Sequence, residues 1–147
     1  MDIEFLKSMG KIKKIAPDLH RAKSLIESSE KTIATILRME LSDETSTIIF
    51  REMYECIRQL GDAKWWLEGY KPKDHEVSMA ILKEEEISNS AKLENLDRFR
   101  DIRHNANYSG YIIPKINAVE IIEFWYECGE EILENLKSEI QMQDNES

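Results

Sequence analysis

Hydrophobic residues recur at spacings of three and four along most of the chain, which is the pattern of amphipathic α-helices. The pattern covers five segments, namely residues 17–39, 44–68, 75–86, 93–107 and 118–140. Glycine, proline or polar clusters separate these segments, and no stretch alternates with period two over the length of an ordinary strand. The pattern therefore predicts an all-α fold, an up-and-down bundle of four or five helices whose core spans about residues 16–141.

The two ends of the chain are weaker helix candidates. Residues 1–15 have the pattern of a short helix that Gly10 interrupts, and residues 142–147 are polar enough for a frayed tail. Between the main segments, Asp74 is placed to cap the helix that follows it, and Asn117 is placed to cap the last one. We expect the 147 residues to form a single domain, because this length supports one core but not two.

The composition agrees with a helical globular protein and excludes several classes. Hydrophobic residues make up 41% of the chain and charged residues 33%, with only 5 Gly and 3 Pro. No run approaches the ~18 apolar residues that a membrane span needs, and Asp2 and Glu4 are unlike the start of a secretory signal. We therefore expect a cytoplasmic protein without a membrane segment. Cys56 and Cys128 lie far apart on apolar faces, which favours reduced thiols in the core.

The charge distribution changes this picture in one place. The formal net charge of −9 argues against a protein that coats nucleic acid through a broad positive surface. Between residues 92 and 115, however, basic residues outnumber acidic ones: Lys92, Arg98, Arg100, Arg103 and Lys115 against Glu94, Asp97 and Asp101. A small basic site on an acidic body suits a phosphate-bearing ligand or an acidic partner surface.

The segment 93–107 carries a polar strip beside its apolar face. At about 100° per residue, its apolar positions gather on one side: Leu96, Phe99, Ile102 and Ala106. We define the polar strip as the four residues that border this side: Arg100, Arg103, His104 and Asn107. Arginine beside a core is costly unless its donors find acceptors, so the strip requires a carboxylate, a second chain or a bound anion.

This helix should end near Tyr108. Ser109 and Gly110 follow, and Pro114 prevents the helix from resuming for several residues. Tyr108 and Tyr111 are thereby left near a helix C-terminus, where a ligand can reach them. Tyrosines of this kind also line interfaces without any chemical role, so both interpretations stay open.

Three features together resemble the HEPN family of small helical-bundle proteins. The first is LEGYKPKDHEVSMAIL, which is similar to the family's Gly-Tyr-Lys turn followed by a histidine that starts the next helix. The second is DRFRDIRHNANYSG, which stands where the family carries its Arg-x4-6-His element. The third is the order of helices over roughly residues 16–141.

Two registers of the Arg and His element remain open. In one, Arg103 is the family's arginine, His104 takes the polar position after it, and Tyr108 stands in place of the motif histidine. In the other, Arg98 pairs with His104, which meets the spacing, although the two lie about 120° apart around the helix. We favour the first register, which resembles family members in which tyrosine replaces the histidine.

The resemblance implies metal-independent cleavage of RNA with a degenerate motif. In such a reaction a base takes the proton of a ribose 2′-hydroxyl, which attacks the neighbouring phosphate while an arginine stabilises the added negative charge. Histidine suits the base role better than tyrosine, whose reference pKa is about 10. The candidate catalytic residues are therefore Arg103, His104 and Tyr108, and the candidate ligand contacts are Arg98, Arg100, Asn107 and Tyr111.

The resemblance also implies partners. It implies that this chain forms a homodimer and works beside a small nucleotidyltransferase in a toxin–antitoxin or nucleotide-handling pair, which is our leading prediction. In some such pairs the partner modifies a tyrosine near the HEPN motif. Tyr108 is the candidate for such modification by analogy. The alternatives are a non-catalytic dimer module that binds a nucleotide or a protein, and a helical scaffold whose arginines only pair with carboxylates. We expect no cofactor or metal, because His20, His75 and His104 lack the spacing of metal ligands.

Overall fold

Helices form the architecture that the hydrophobic pattern predicts, so the expectation of an all-α bundle is confirmed. The computed structural model describes residues 1–146. Its helices are α1 (Ile3–Ser8), α2 (Leu19–Ile36), α3 (Ser46–Glu68), α4 (His75–Leu82), α5 (Asn95–Ser109), α6 (Lys115–Phe124) and α7 (Glu130–Glu146). A 3₁₀ turn, Ser90–Glu94, leads into α5, and a π-helical turn, Trp125–Gly129, joins α6 to α7.

The long helix α3 is the centre of the bundle, since α2, α4, α5, α6 and α7 all pack on it. Its buried side carries large apolar residues at helical spacing: Ile49, Phe50, Met53, Ile57, Leu60 and Leu67. Each such side chain contributes roughly 1.5–3 kcal/mol when it is fully buried. Helix α3 is therefore a rigid base for the polar residues that it presents toward α4 and α5.

The close approach of α4 to α3 depends on Gly61. A Cβ atom at this position would lie 2.1 Å from the carbonyl oxygen of Ser78, so any side chain would push the two helices apart. Asp74 caps α4 as predicted, because its carboxylate accepts the backbone N–H of Val77 at 3.1 Å. Together these contacts hold His75, the first residue of α4, close to α3.

The prediction of a helix over residues 1–15 is wrong in its second half. Helix α1 ends at Ser8, and Gly10 reverses the chain with a φ of 71°. Residues Ile12–Lys14 then form strand β1, which pairs antiparallel with strand β2, Tyr70–Pro72. Strands of three residues are too short to show an alternating pattern, which is why the sequence predicted no sheet.

The last helix begins earlier than the sequence predicts. It starts at Lys115, with Pro114 at the N-cap position, and not at Ala118. Proline suits a helix start because its φ is already fixed near the helical value. The side chain of Asn117 lies inside the first turn, where its amide donates to the carboxylate of Glu120 at 3.1 Å.

The prediction of a frayed tail over residues 142–147 is wrong for the part of the chain that is described. Helix α7 continues to Glu146, and Ser147 lies outside the described residues. An ion pair of 2.8 Å between Lys23 of α2 and Asp144 fixes the end of α7 against its neighbour. Because Lys23 and Asp144 are far apart in the sequence, the local residue pattern could not predict this contact.

Both cysteines are buried and free, as predicted. Burial raises the pKa of Cys56 to about 12, so its thiol stays protonated in the core. None of the helices within residues 1–146 combines the length and the apolar character needed to cross a bilayer.

Candidate functional site

A groove opens on the bundle where α3, the start of α4 and the second half of α5 meet. Its volume is about 490 Å³. Its lining consists of Tyr54, His75, Glu76, Arg100, Asp101, Arg103, His104 and Tyr108. We call this feature the α4–α5 groove. It combines two arginines and two histidines with two carboxylates, on a chain whose formal net charge is −9.

The apolar face of α5 explains why part of the polar strip reaches this groove. Leu96 and Phe99 are fully buried, which fixes the rotation of α5. Arg100, Arg103 and His104 then line the groove, and so does Tyr108 one turn beyond His104.

The other residues predicted for the site lie outside the groove lining. Arg98 forms an ion pair with Glu120 of α6. Asn107 and Tyr111 are exposed near the end of α5. Within one chain, Arg98 and His104 therefore face different neighbours.

Arg103 has no counter-charge of its own. Its guanidinium carbon lies 5.5 Å from the centre of the Tyr54 ring. It forms no ion pair with any carboxylate in residues 1–146, whereas Arg100 lies 3.5 Å from Asp101 and 3.9 Å from Glu76. The intrachain ion pair that was an alternative for Arg103 is thus not formed within the described residues, and Arg103 lines a groove open to solvent.

Tyr54 lies next to Arg103 and is an unsatisfied polar group. Its side chain is 1% exposed, and its hydroxyl has no hydrogen-bond partner among the described residues. Burial raises the pKa of Tyr54 despite the opposing effect of Arg103, so the phenol keeps its proton at neutral pH. Leaving a buried hydroxyl unpaired costs about 1–3 kcal/mol. The sequence did not reveal this residue, because a tyrosine at core spacing on a helix is typical of packing.

A second arginine, Arg58, lies behind the groove and is fully neutralised. Its Nε donates to Glu55 at 3.0 Å, and its Nη1 donates to Asp62 at 2.6 Å. Asp62 also accepts the hydroxyl of Ser78 from α4. Burial alone would raise the pKa of Glu55, but the hydrogen bonds from Arg58 together with the positive charges of Arg58 and Arg103 outweigh this effect and lower it. We call these four residues the Arg58 cluster.

His75 lies between the Arg58 cluster and Arg103. Its imidazole reaches solvent, yet partial desolvation and the positive charges of Arg58 and Arg103 lower its pKa. It is therefore neutral at physiological pH. The sequence identified His75 only as the start of a helix in the resemblance motif. Its place in the groove depends on the packing of α4 on α3, which periodicity within a helix does not reveal.

His104 and Tyr108 form an aromatic pair at the open end of the groove. Their ring centres are 4.6 Å apart with an angle of 40° between the planes. Tyr108 is 74% exposed, and exposed apolar residues follow it along the chain. We call this set the apolar corner: Tyr108, Tyr111, Ile112 and Ile116.

Within residues 1–146, no group of three or more histidine, cysteine, aspartate or glutamate side chains is arranged to hold a metal ion. No protein-family model, curated protein or solved structure matches the chain. The chemistry of the groove is therefore interpreted from its own residues.

Proposed function

We propose that the chain is a HEPN-like protein whose α4–α5 groove binds the phosphodiester backbone of single-stranded RNA and cleaves it without a metal ion. The observation that carries the proposal is Arg103, a partly buried arginine in an open groove with no carboxylate partner among the described residues. A guanidinium in this position is suited to an anion that comes from outside the chain, and phosphate matches its fork of donors.

The aromatic pair at the open end supports RNA over a simple anion. Unpaired bases of single-stranded RNA stack on exposed aromatic side chains, and each stacked base contributes about 1–3 kcal/mol. Tyr108 and His104 offer such a surface beside Arg103. The groove thus combines a contact for phosphate with a contact for a base.

The reaction needs a base, a stabiliser of negative charge and no metal. A groove histidine removes the proton of the 2′-hydroxyl, and His104 is the candidate for this role that the sequence offers. The resulting alkoxide attacks phosphorus, and Arg103 stabilises the charge that develops on the phosphate oxygens. The bond between phosphorus and O5′ breaks and the departing oxygen takes up a proton, so the products are a 2′,3′-cyclic phosphate and a free 5′-hydroxyl.

A second candidate function is a non-catalytic dimer module that binds a nucleotide, and the apolar corner favours it. Exposed apolar residues in a row are typical of protein docking surfaces. In this proposal the corner contacts a second copy of the chain or a small nucleotidyltransferase, within a cytoplasmic toxin–antitoxin or nucleotide-handling pair. Tyr108 is exposed enough for such a partner to modify it.

The test is cleavage of an end-labelled single-stranded RNA by the purified protein in the presence of EDTA. We expect the native chain to cleave, and Arg103→Ala to lose about 100-fold or more in kcat/KM, as is usual when a stabilising donor is removed. Arg51→Ala is the matched control, because Arg51 is an exposed arginine on α3 outside the groove.

The same variants separate the two functions. If the native chain binds a nucleotide through Arg103 but cleaves nothing, the dimer module is the correct interpretation. If neither cleavage nor binding depends on Arg103, both proposals fail.

A further inference from the structure

Two histidines from different helices face the α4–α5 groove. His75 belongs to the first turn of α4, and His104 belongs to α5. An ion pair of 3.9 Å between Glu76 and Arg100 spans the two helices, so these walls of the groove stand close to each other. The site predicted from sequence includes only the histidine of α5.

Cleavage of RNA by its own 2′-hydroxyl requires two proton transfers. One proton leaves the attacking oxygen, and another must reach the 5′-oxygen that departs. Because the attacking and departing oxygens lie in line on opposite sides of phosphorus, one fixed histidine is poorly placed to serve both. Two histidines on different helices of one groove, with Arg103 in the same lining, suit this requirement.

The charged groups around His75 favour its neutral form. From α3 it faces Arg58 with Glu55 and Asp62, and from α5 it faces Arg103. Partial desolvation lowers the pKa of His75 most, and Arg58 and Arg103 lower it further, since Glu55 and Asp62, which Arg58 already engages, offset them only in part. Only a neutral imidazole can accept a proton, as a general base must.

We propose that His75 is the general base of this groove and that His104 is the general acid, a division of roles that rests on the proposed ribonuclease function. His75 takes the proton of the 2′-hydroxyl while O2′ forms a bond to phosphorus. The bond between phosphorus and O5′ breaks, and the 5′-oxygen leaves with a proton from the imidazolium of His104. Exchange of protons with water then returns both histidines to their starting states.

The first experiment measures kcat/KM on single-stranded RNA across pH for the native chain, His75→Ala and His20→Ala. We expect His75→Ala to lose about 10²- to 10⁴-fold, which is the usual contribution of a general base. In the native chain kcat/KM should rise with pH on the acidic side of the profile, and this rise should disappear in His75→Ala. Loss of a purely structural residue would lower the rate without removing the rise. His20 is exposed on α2 outside the groove, so its replacement should leave rate and profile unchanged.

The second experiment separates the base from the acid through the leaving group. In uridine 3′-(4-nitrophenyl phosphate) the leaving group departs without a proton, so a general acid is no longer needed. We expect the defect of His104→Ala to shrink to less than about tenfold on this substrate, while the defect of His75→Ala stays about 100-fold or more. Added imidazole should restore part of the activity of His75→Ala.

The outcomes test the role of His75 separately from the ribonuclease function on which it rests. If the native chain cleaves RNA and His75→Ala, shown to be folded by circular dichroism, cleaves at the native rate, the role of His75 is overturned and the ribonuclease proposal stands. If the 4-nitrophenyl substrate restores the activity of His75→Ala and not that of His104→Ala, the two roles are reversed and the proposal is wrong. A native chain that cleaves no RNA overturns both.

Discussion

Two arginines that face the same region of the bundle, Arg58 on α3 and Arg103 on α5, differ in how their charge is balanced. Arg58 is held by Glu55 and Asp62 of its own helix, one turn before it and one turn after it. Arg103 lies over the ring of Tyr54 and forms no ion pair with a carboxylate of residues 1–146. An arginine that brings its own carboxylates serves the fold, whereas one without them retains donors for a ligand.

The difference has an energetic consequence. Removal of a carboxylate from the Arg58 cluster leaves a charge that the surrounding protein partly shields from water, and such charges are costly when unpaired. Removal of the Arg103 guanidinium leaves no carboxylate without its partner in residues 1–146. Loss of a partner of Arg58 should therefore lower the stability of the fold, whereas loss of Arg103 should lower the affinity for RNA.

The largest expected effect is the loss of stability in Asp62→Ala. Because this change leaves the Nη1 of Arg58 and the Ser78 hydroxyl without their acceptor, while Glu55 still holds the rest of the guanidinium, we expect the free energy of unfolding to fall by about 2–3 kcal/mol. Urea unfolding followed by circular dichroism measures it. Glu52→Ala, at an exposed position of the same helix, is the control and should stay within about 0.5 kcal/mol. An Asp62→Ala protein as stable as the native one would show that the Arg58 cluster does not support the fold.

Arg103→Ala should instead weaken the binding of RNA and leave the stability of the fold nearly unchanged. We expect its free energy of unfolding to stay within about 0.5 kcal/mol of the native value, because no ion pair is lost. Its affinity for single-stranded RNA should fall about ten- to thirtyfold, which corresponds to one charge-assisted phosphate contact of about 1.5–2 kcal/mol. Fluorescence anisotropy with a 2′-O-methyl RNA, which cannot be cleaved, measures this affinity. A large loss of stability with unchanged binding would make Arg103 a structural residue like Arg58.

These two arginines also show what the sequence could predict. Helical periodicity applies within one helix, and it correctly gave the all-α fold and the buried face of α5 formed by Leu96 and Phe99. The contributions of Tyr54 and His75 to the groove were missed. His75 reaches it because Gly61 lets α4 pack closely on α3, and Tyr54 reaches it where α5 packs on α3; such contacts between helices leave no periodic signal.

A smaller effect is expected for Tyr54→Phe, which tests the residue beneath Arg103. Because the hydroxyl of Tyr54 is buried without a partner among the described residues, its removal should leave the fold unchanged or stabilise it by up to about 1 kcal/mol. Thermal and urea unfolding measure the change. Tyr126→Phe is the control, since Tyr126 is 55% exposed and its hydroxyl reaches water. A Tyr54→Phe protein that is less stable by about 1 kcal/mol would reveal a hydrogen bond of this hydroxyl.

The smallest expected effect concerns His75, on which both arginines act. Partial desolvation, Arg58 and Arg103 lower its pKa in the folded protein below the ordinary value of 6.5, so the unfolded chain binds the proton more readily. By linkage, the stability contributed by neutral His75 is complete above about pH 6.5 and is lost as the pH falls through the lower folded pKa. Urea midpoints measured from about pH 7.5 to about pH 5 should therefore fall less in His75→Gln than in the native chain. His20→Gln should follow the native curve. If His75→Gln loses as much stability as the native chain over this interval, the pKa of His75 is not lowered in the folded protein, and neither desolvation nor the two arginines favour its neutral form.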